Sequence, residues 1–453
     1  MNATRTETDS FGSLEIPADA LWGVHTARSL HFFAIGTQRM PLEIIHAMAH
    51  IKAAAATVNW QLGLLDETKA LAIAAAARRI AAAEFDDAFP LSVWQTGSGT
   101  QSHMNLNEVI ATLAKQAGVL VHANDDVNLG QSSNDVFPTA MNIAALQQTL
   151  GRLSPELHAL YESILEKAMA FKDLAKVGRT HLQDATPITL GQEFSGYAAQ
   201  LALCQDSVHH ALEAVAGLAI GGTAVGTGLN THPEFGSRVA SLLVTQLDLP
   251  LRQSNNLFAA MAGHEALVAL HASLRMLAIA LNKIGNDIRL MGSGPRAGLG
   301  ELLLPQNEAG SSIMPGKVNP TQIEALCMVC AQVMGHDVAI GIAASQGQLE
   351  LNVYKPLIAM NVLDSIRLLG DAMHSFRLHC LAGLKANLPQ LAHNLERSLM
   401  LVTALSPHIG YDRAAQIAKL AQQEGTTLRE AALQLGAVTP AQFDEWVDPR
   451  AML

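Results

Sequence analysis

Residues 259–291 read AAMAGHEALVALHASLRMLAIALNKIGNDIRLM, and their spacing decides the fold class. Leu267, Leu270, Leu274, Leu277 and Leu281 recur at three- and four-residue steps, the period of one helix face. A helix from about 259 to 291 is far longer than the average of about 11–12 residues. Such helices carry apolar faces that one small domain cannot cover, so they pack into bundles, often shared between subunits. The pattern holds from 136 to about 386, with breaks at 178–187, 221–233, 292–320 and 345–348.

Composition agrees. Hydrophobic residues make up 49% of the 453 residues but aromatics only 4%, so the core is built from Ala, Leu, Ile, Val and Met. That suits closely packed helices better than sheets. The length exceeds one ordinary core. The expected architecture is all-α in three domains: a mostly helical 1–131, a central long-helix bundle 132–388, and a small helical 389–453. Residues 1–40 read as turn-rich, and Leu42, Ile45, Met48 and Ile51 begin helices that run to about 83. Helices are expected at 391–404, 412–423 and 427–435.

Charge and cysteines exclude several classes. Against 29 Lys and Arg stand 40 Asp and Glu, a formal charge of −11 that opposes nonspecific binding to nucleic acid or anionic membrane. An anionic substrate would therefore be drawn in by local donors. Cys204, Cys327, Cys330 and Cys380 are too few for a disulfide scaffold. The Cys327/Cys330 pair lies in a helical pattern without a second pair, which reads as free thiols in a reducing cytosol. The first seventeen residues lack the apolar run of a secretory signal. The longest uncharged stretch, 214–233, holds five glycines and reads as a loop rather than a span. A soluble cytoplasmic protein is expected.

The breaks carry the chemistry. In PQNEAGSSIMPGKVNP (residues 305–320), Gly310 and Gly316 permit unusual backbone geometry and the prolines forbid helix. Ser311, Ser312, Lys317 and Asn319 can then bring hydroxyls, a cation and an amide onto one anion. TGSGT (96–100), Ser132-Ser133-Asn134 and Thr180-His181 are further donor-rich breaks at expected helix ends, and helix N-termini suit carboxylates or phosphates. None clusters carboxylates, so no metal site is expected. No GxxxxGK[ST] occurs, and GGTAVGTG (221–228) lacks the strand context of a nucleotide loop. HEALVALH (264–271) is not HExxH, and His46 and His50 share a helix face without a third ligand.

WQTGSGTQS, NDDVN, QSSNDVFPTAM, GRTHLQDATP, GGTAVGTGLNTHPEF, GSSIMPGKVNPTQIEAL and SLMLVTALSPHIGYD, in this order, resemble the class II fumarases of the fumarase/aspartase superfamily over nearly the whole chain. The resemblance implies a three-domain chain whose long helices assemble into a homotetrameric core, with each active site shared between subunits. It implies reversible anti addition of water to fumarate, giving (S)-malate through an aci-carboxylate intermediate, without metal or organic cofactor. Such chemistry builds a second negative charge on a carboxylate and needs fixed donors waiting for it. By resemblance those donors come from Ser98, Gly99, Thr100, Ser132, Ser133, Asn134, Thr180, Ser312, Lys317, Val318 and Asn319.

A serine needs activation before it can take a carbon-bound proton, and the residues alone do not choose between Ser311 and Ser312. The resemblance makes Ser311 the base. It gives the oxygen side to His181, whose imidazole titrates near neutrality, with Glu324 raising its basicity. A competing reading of Glu324 is structural, because Thr321-Gln-Ile-Glu324 has capping-box spacing.

Two departures stand out. His122, Ala123, Asn124 and Asp125 resemble a secondary dicarboxylate site, but Val119-Leu120-Val121 replace the basic residue expected just before it. His103, in QSHMN, stands where class II fumarases usually have asparagine, and either alters substrate preference or pH optimum or is a harmless neighbour of the site. The alternatives are an aspartate ammonia-lyase, disfavoured by glycine at 316 where aspartases typically have alanine, and a hydratase for a related dicarboxylate. A non-enzymatic, crystallin-like scaffold would have lost Ser311, Lys317, Asn319 and His181, which are all present.

Overall fold

The computed structural model describes residues 3–9 and 11–453. It opens on an antiparallel hairpin of β1 (Thr4–Asp9) and β2 (Gly12–Pro17). The sequence reading assigns no strand here. TRTETD alternates threonine with charged residues, so its two-residue period lacks the apolar face that would reveal it. Then come α1 (Val24–Phe32), α2 (Leu42–Gln61), α3 (Glu67–Ala81), α4 (Thr100–Gln116), α5 (Ser133–Gln148) and α6 (Ser154–Ala170). A second hairpin, β3 (Ala175–Thr180) and β4 (Gln183–Thr189), precedes α7 (Leu190–Val215), α8 (Phe235–Leu247), α9 (Leu257–Ala262) and α10 (Glu265–Met291). The chain continues through α11 (Thr321–Ala344), α12 (Lys355–Phe376), α13 (Leu388–Arg397), α14 (Ser406–Ile409), α15 (Tyr411–Glu424), α16 (Leu428–Gln434) and α17 (Pro440–Trp446). The all-α expectation holds.

The helix expected from about 259 is two helices. Gly263 is extended at the end of α9, and its N–H bonds to the Ala259 carbonyl, so the leucine-periodic run starts at Glu265. At about 1.5 Å per residue, α10 is about 40 Å long.

Contacts group the chain into two compact units. One comprises residues 1–155, 206–278 and 331–370, the other 156–205, 279–330 and 371–453. In the first, α2 packs against α3, α5 and α8. Ile44, Ile45, Met48, Ile51 and Val58 of α2 are buried, and so are its alanines from 53 to 56, so this helix is enclosed on nearly all sides. Alanine lets neighbouring helix axes approach to about 8–10 Å.

In the second unit, β3 packs against α13, and Leu405, Ile417, Ala431, Ala432 and Phe443 form a C-terminal core. The helix expected over 391–404 stops at Arg397, because the Ser398 hydroxyl accepts the Met400 N–H and starts a 3₁₀ turn over Leu399–Leu405. Capping boxes of Thr427 with Glu430 and Thr439 with Gln442 begin α16 and α17; the sequence reading assigns no helix to the latter. On α11, Met328, Val338 and Ile342 are 60–67% exposed. Helices α10 and α11 are long and apolar enough to cross a membrane.

Candidate active site

In the first unit, the TGSGT stretch is shaped by close approach. A side chain at Gly97 would collide with the Val353 carbonyl, and one at Gly99 would meet the Phe137 ring at 2.2 Å. Gly99 also adopts φ 77° as the residue preceding α4, which a residue with a Cβ resists. Thr100 thus begins a helix that Gly99 itself cannot cap, and in its first turn the Ser102 N–H donates instead to Gln95 Oε1 at 3.0 Å. Ser98 Oγ and Thr100 Oγ1 share a hydrogen bond of 2.9 Å.

The start of α5 is tied from below. Ser132 caps it, its hydroxyl accepting the Asn134 N–H, while Asp135 reaches back to the Ser132 N–H at 2.9 Å. The other Asp135 oxygen accepts the N–H groups of Gly221 and Thr223, each at 3.0 Å. GGTAVGTG is therefore a partner of a buried carboxylate. Burial pushes the Asp135 carboxyl up to about 6, against the pull of its N–H donors and Lys52. Asn134 donates to the Ala224 carbonyl at 2.9 Å, and Ser133 Oγ lies 2.8 Å from Nδ1 of His103. His103 is completely buried; burial, then the charge of Lys52, moves its pKa well below the ordinary imidazole range, so the ring is neutral. Lys52 is buried too, donating to Asn128 Oδ1 at 2.9 Å. Sequence reasoning missed Asp135 and Lys52. Ser132-x-x-Asp135 has N-cap-to-N3 spacing, and a lone lysine in an apolar helix was a second signal.

In the second unit, Thr180 and His181 sit at the tip of the β3–β4 hairpin rather than at a helix end. Alternation in AKVGRT and QDATPIT was masked by Gly178 and Pro187. The two-residue turn His181-Leu182 has φ 57° and 60°, a geometry usually filled by Asn-Gly. Two exposed non-glycine residues held in the left-handed region are the kind of local strain that clusters at functional sites. The hairpin is braced beneath its tip. Arg179 makes two hydrogen bonds to Glu301, at 2.8 and 3.1 Å, and Lys176 contacts Glu193 at 2.8 Å and Glu301 at 3.3 Å. Burial opposes the charge of Glu301, but Arg179, Lys176 and Asn394 outweigh it and hold the carboxyl below its usual range.

The 305–320 loop folds on itself. The Gly310 N–H donates to the Lys317 carbonyl at 3.1 Å, and the Asn319 amide donates to the Gly310 carbonyl at 2.6 Å. A Cβ on Gly310 would lie 2.4 Å from the Lys317 oxygen. Ser311 Oγ accepts two backbone N–H groups, from Ile313 at 3.3 Å and Met314 at 3.0 Å. Ser312 and Lys317 are exposed, Val318 and Asn319 half-buried. Gly310, Ser311, Gly316, Lys317 and Val318 line an open concavity of about 400 Å³.

Glu324 lies exposed in the first turn of α11. The Pro320 carbonyl accepts the N–H groups of Ile323 and Glu324, so Thr321 is already inside the helix and the capping-box reading fails. Among the described residues, no hydrogen bond or ion pair joins Glu324 to His181 within the chain. His122, Ala123, Asn124 and Asp125 form a turn in which His122 Nδ1 accepts the Asp125 N–H at 3.1 Å. Nearby Lys69 is engaged by Asp126 at 2.9 Å. Among the described residues, no group of three or more His, Cys, Asp or Glu side chains is arranged to hold a metal, and all four cysteines are free thiols.

An all-α chain with donor-lined loops matches a known class: residues 12–335 match the lyase family, and residues 401–453 match the family described as fumarase C C-terminus. The chain is 59% identical to fumarate hydratase class II of Chromobacterium violaceum over 456 residues, covering 99% of each chain. It is 58% identical to fumarate hydratase class II of Thermosynechococcus vestitus, covering 99% of this chain and 98% of that one. The crystal structure of class II fumarase from Schistosoma mansoni superposes with a TM-score of 0.97 at 44% identity, over 99% of both chains. The chain belongs to the class II fumarate hydratase family.

Proposed function

We propose that this chain catalyses the reversible anti addition of water to fumarate, giving (S)-malate, as a hydro-lyase that uses neither metal nor organic cofactor. The observation that carries the reading is Ser311, whose Oγ already accepts two backbone N–H groups in a loop with Lys317 and Asn319. Hydrogen bonds aimed at an oxygen favour its anionic form, which a serine base requires. In the malate-to-fumarate direction, the Ser311 alkoxide takes the proton on the carbon next to one carboxylate. The electron pair moves into that carboxylate, giving the aci form. It then returns to make the double bond as the C–O bond breaks on the opposite face, and His181 supplies the proton with which hydroxide leaves as water.

Lys317 and Asn319 stabilise the added charge, while Thr100, Ser133 and Asn134 hold the substrate carboxylates; Ser98, Gly99, Ser132, Thr180, Ser312 and Val318 complete the binding set. Glu324 serves His181 from another subunit. We read the protein as a cytoplasmic homotetramer organised along the chain as 1–131, 132–388 and 389–453. The exposed Met328, Val338 and Ile342 of α11 support coverage by further copies of the chain, and the Asp337 carboxylate, ion-paired to Arg275 at 2.7 Å, disfavours lipid around this helix.

The test follows the absorbance of the fumarate double bond with purified protein and fumarate, malate or aspartate supplied separately. Loss with fumarate and gain with malate are expected. Gain with aspartate alone would make the chain an ammonia-lyase.

A further inference from the structure

We propose that His103 is a positioning residue: its Nδ1–H donates to Ser133 Oγ and so leaves the Ser133 hydroxyl proton to point at a substrate carboxylate. This rests on the reading that Ser133 binds the dicarboxylate. The contact is 2.8 Å, the imidazole is completely buried, and Nε2 has no hydrogen-bond partner among the described residues. A neutral imidazole carries one N–H, so only two arrangements exist.

With the proton on Nε2, a buried donor would face no acceptor. Nδ1 would take the Ser133 proton, and only serine lone pairs would remain to meet an anion, which is repulsive. With the proton on Nδ1, the ring's one N–H is satisfied by Ser133 Oγ, and Nε2 keeps only an unpaired lone pair. Ser133 Oγ then accepts from the ring and donates outward, the polarity that a carboxylate rewards with a charge-assisted bond. Ser133 is fixed on both sides, by the Ser132–Asp135 capping box and by the Asn134 bond to Ala224. The ring therefore sets the one remaining freedom, the torsion of the hydroxyl. An asparagine at 103 could supply the same donor from its amide nitrogen, whereas leucine could not.

Steady-state kinetics on Ser133→Ala, His103→Leu and His103→Asn test this, with melting temperature recorded for each. The expected result is a KM raised about tenfold in Ser133→Ala and His103→Leu with kcat changed far less, as for lost uniform binding. His103→Asn should restore KM to within about threefold of wild type, and His103→Leu/Ser133→Ala should be no worse than Ser133→Ala alone. An unchanged KM in His103→Leu beside a raised KM in Ser133→Ala overturns the positioning role alone. An unchanged KM in Ser133→Ala overturns the underlying reading of Ser133. Nitrogen-15 NMR of the wild-type imidazoles, with His103 identified by its absence in His103→Asn, gives a readout that needs no His103→Leu protein: a neutral ring protonated at Nδ1 supports the proposal, and one protonated at Nε2 overturns it.

Discussion

The start of α5 and the 305–320 loop offer the same kind of donor, held in opposite ways. At α5 a buried carboxylate gathers three N–H groups, and Ser132, Ser133 and Asn134 each have a partner. The 305–320 loop is held by bonds within itself, and its Ile313 is 83% exposed. The first region is preorganised, its donors held in place by the partners behind them. The second has few contacts outside itself, which suits the loop proposed to carry the base. Damage to the Asp135 support beneath α5 will therefore be read in stability, and damage to the loop in turnover.

The largest expected effect is on turnover. Ser311→Ala removes the proposed base while leaving the helices and both cores untouched, so kcat should fall about 10²- to 10⁴-fold with the melting temperature nearly unchanged. Parallel measurement of fumarate absorbance and thermal melting checks both halves. A variant that melted early but turned over normally would break the comparison at its centre.

Asp135→Asn probes the opposite case. An amide can accept on one oxygen only, so its NH₂ must confront the N–H of Ser132 or those of Gly221 and Thr223. Buried donors left unpaired cost about 1–3 kcal/mol each, and a loss of about 2–4 kcal/mol in unfolding free energy is expected at fixed protein concentration. Asp135 also gives a pH signature. Its folded pKa of about 6 lies above the ordinary 3.8, so the folded state binds the proton more tightly. That contribution to stability is fully present below about pH 4 and lost as pH rises through 6. Denaturant midpoints between pH 4 and 7 should slope accordingly in the wild type, and Asp135→Asn should remove this component of the slope.

Much of this was legible in the sequence. Helical periodicity announced α2 and α10 because their apolar positions repeat, and the glycine and proline punctuation of 305–320 announced a loop. The β1–β2 hairpin escaped because alternation of polar with polar gives no signal, and the β3–β4 hairpin because Gly178 and Pro187 read as breaks. Thr180 and His181 were therefore expected at a helix end, whereas a strained turn carries them. Loop residues could be named from their chemistry, but their supports could not. Asp135 joins residues 86 and 88 positions away, and His103 meets Ser133 thirty positions on, so only the folded chain brings them together.

The smallest effect sharpens the comparison with one pair of substitutions of the same kind. Gly310→Ala puts a methyl 2.4 Å from the Lys317 carbonyl, and Gly99→Ala puts one 2.2 Å from the Phe137 ring. At 310 the exposed loop can shift, lengthening the bond between Gly310 and Lys317 and moving the cation off its place. kcat/KM should fall about tenfold with little change in melting. At 99 the backbone is left-handed at φ 77° and Phe137 is completely buried, so nothing near can yield. There the same methyl should lower the melting temperature by several degrees, as expected for about 1–3 kcal/mol. If both glycines gave the same ratio of activity loss to stability loss, the two regions would be held alike and the division between them would fail.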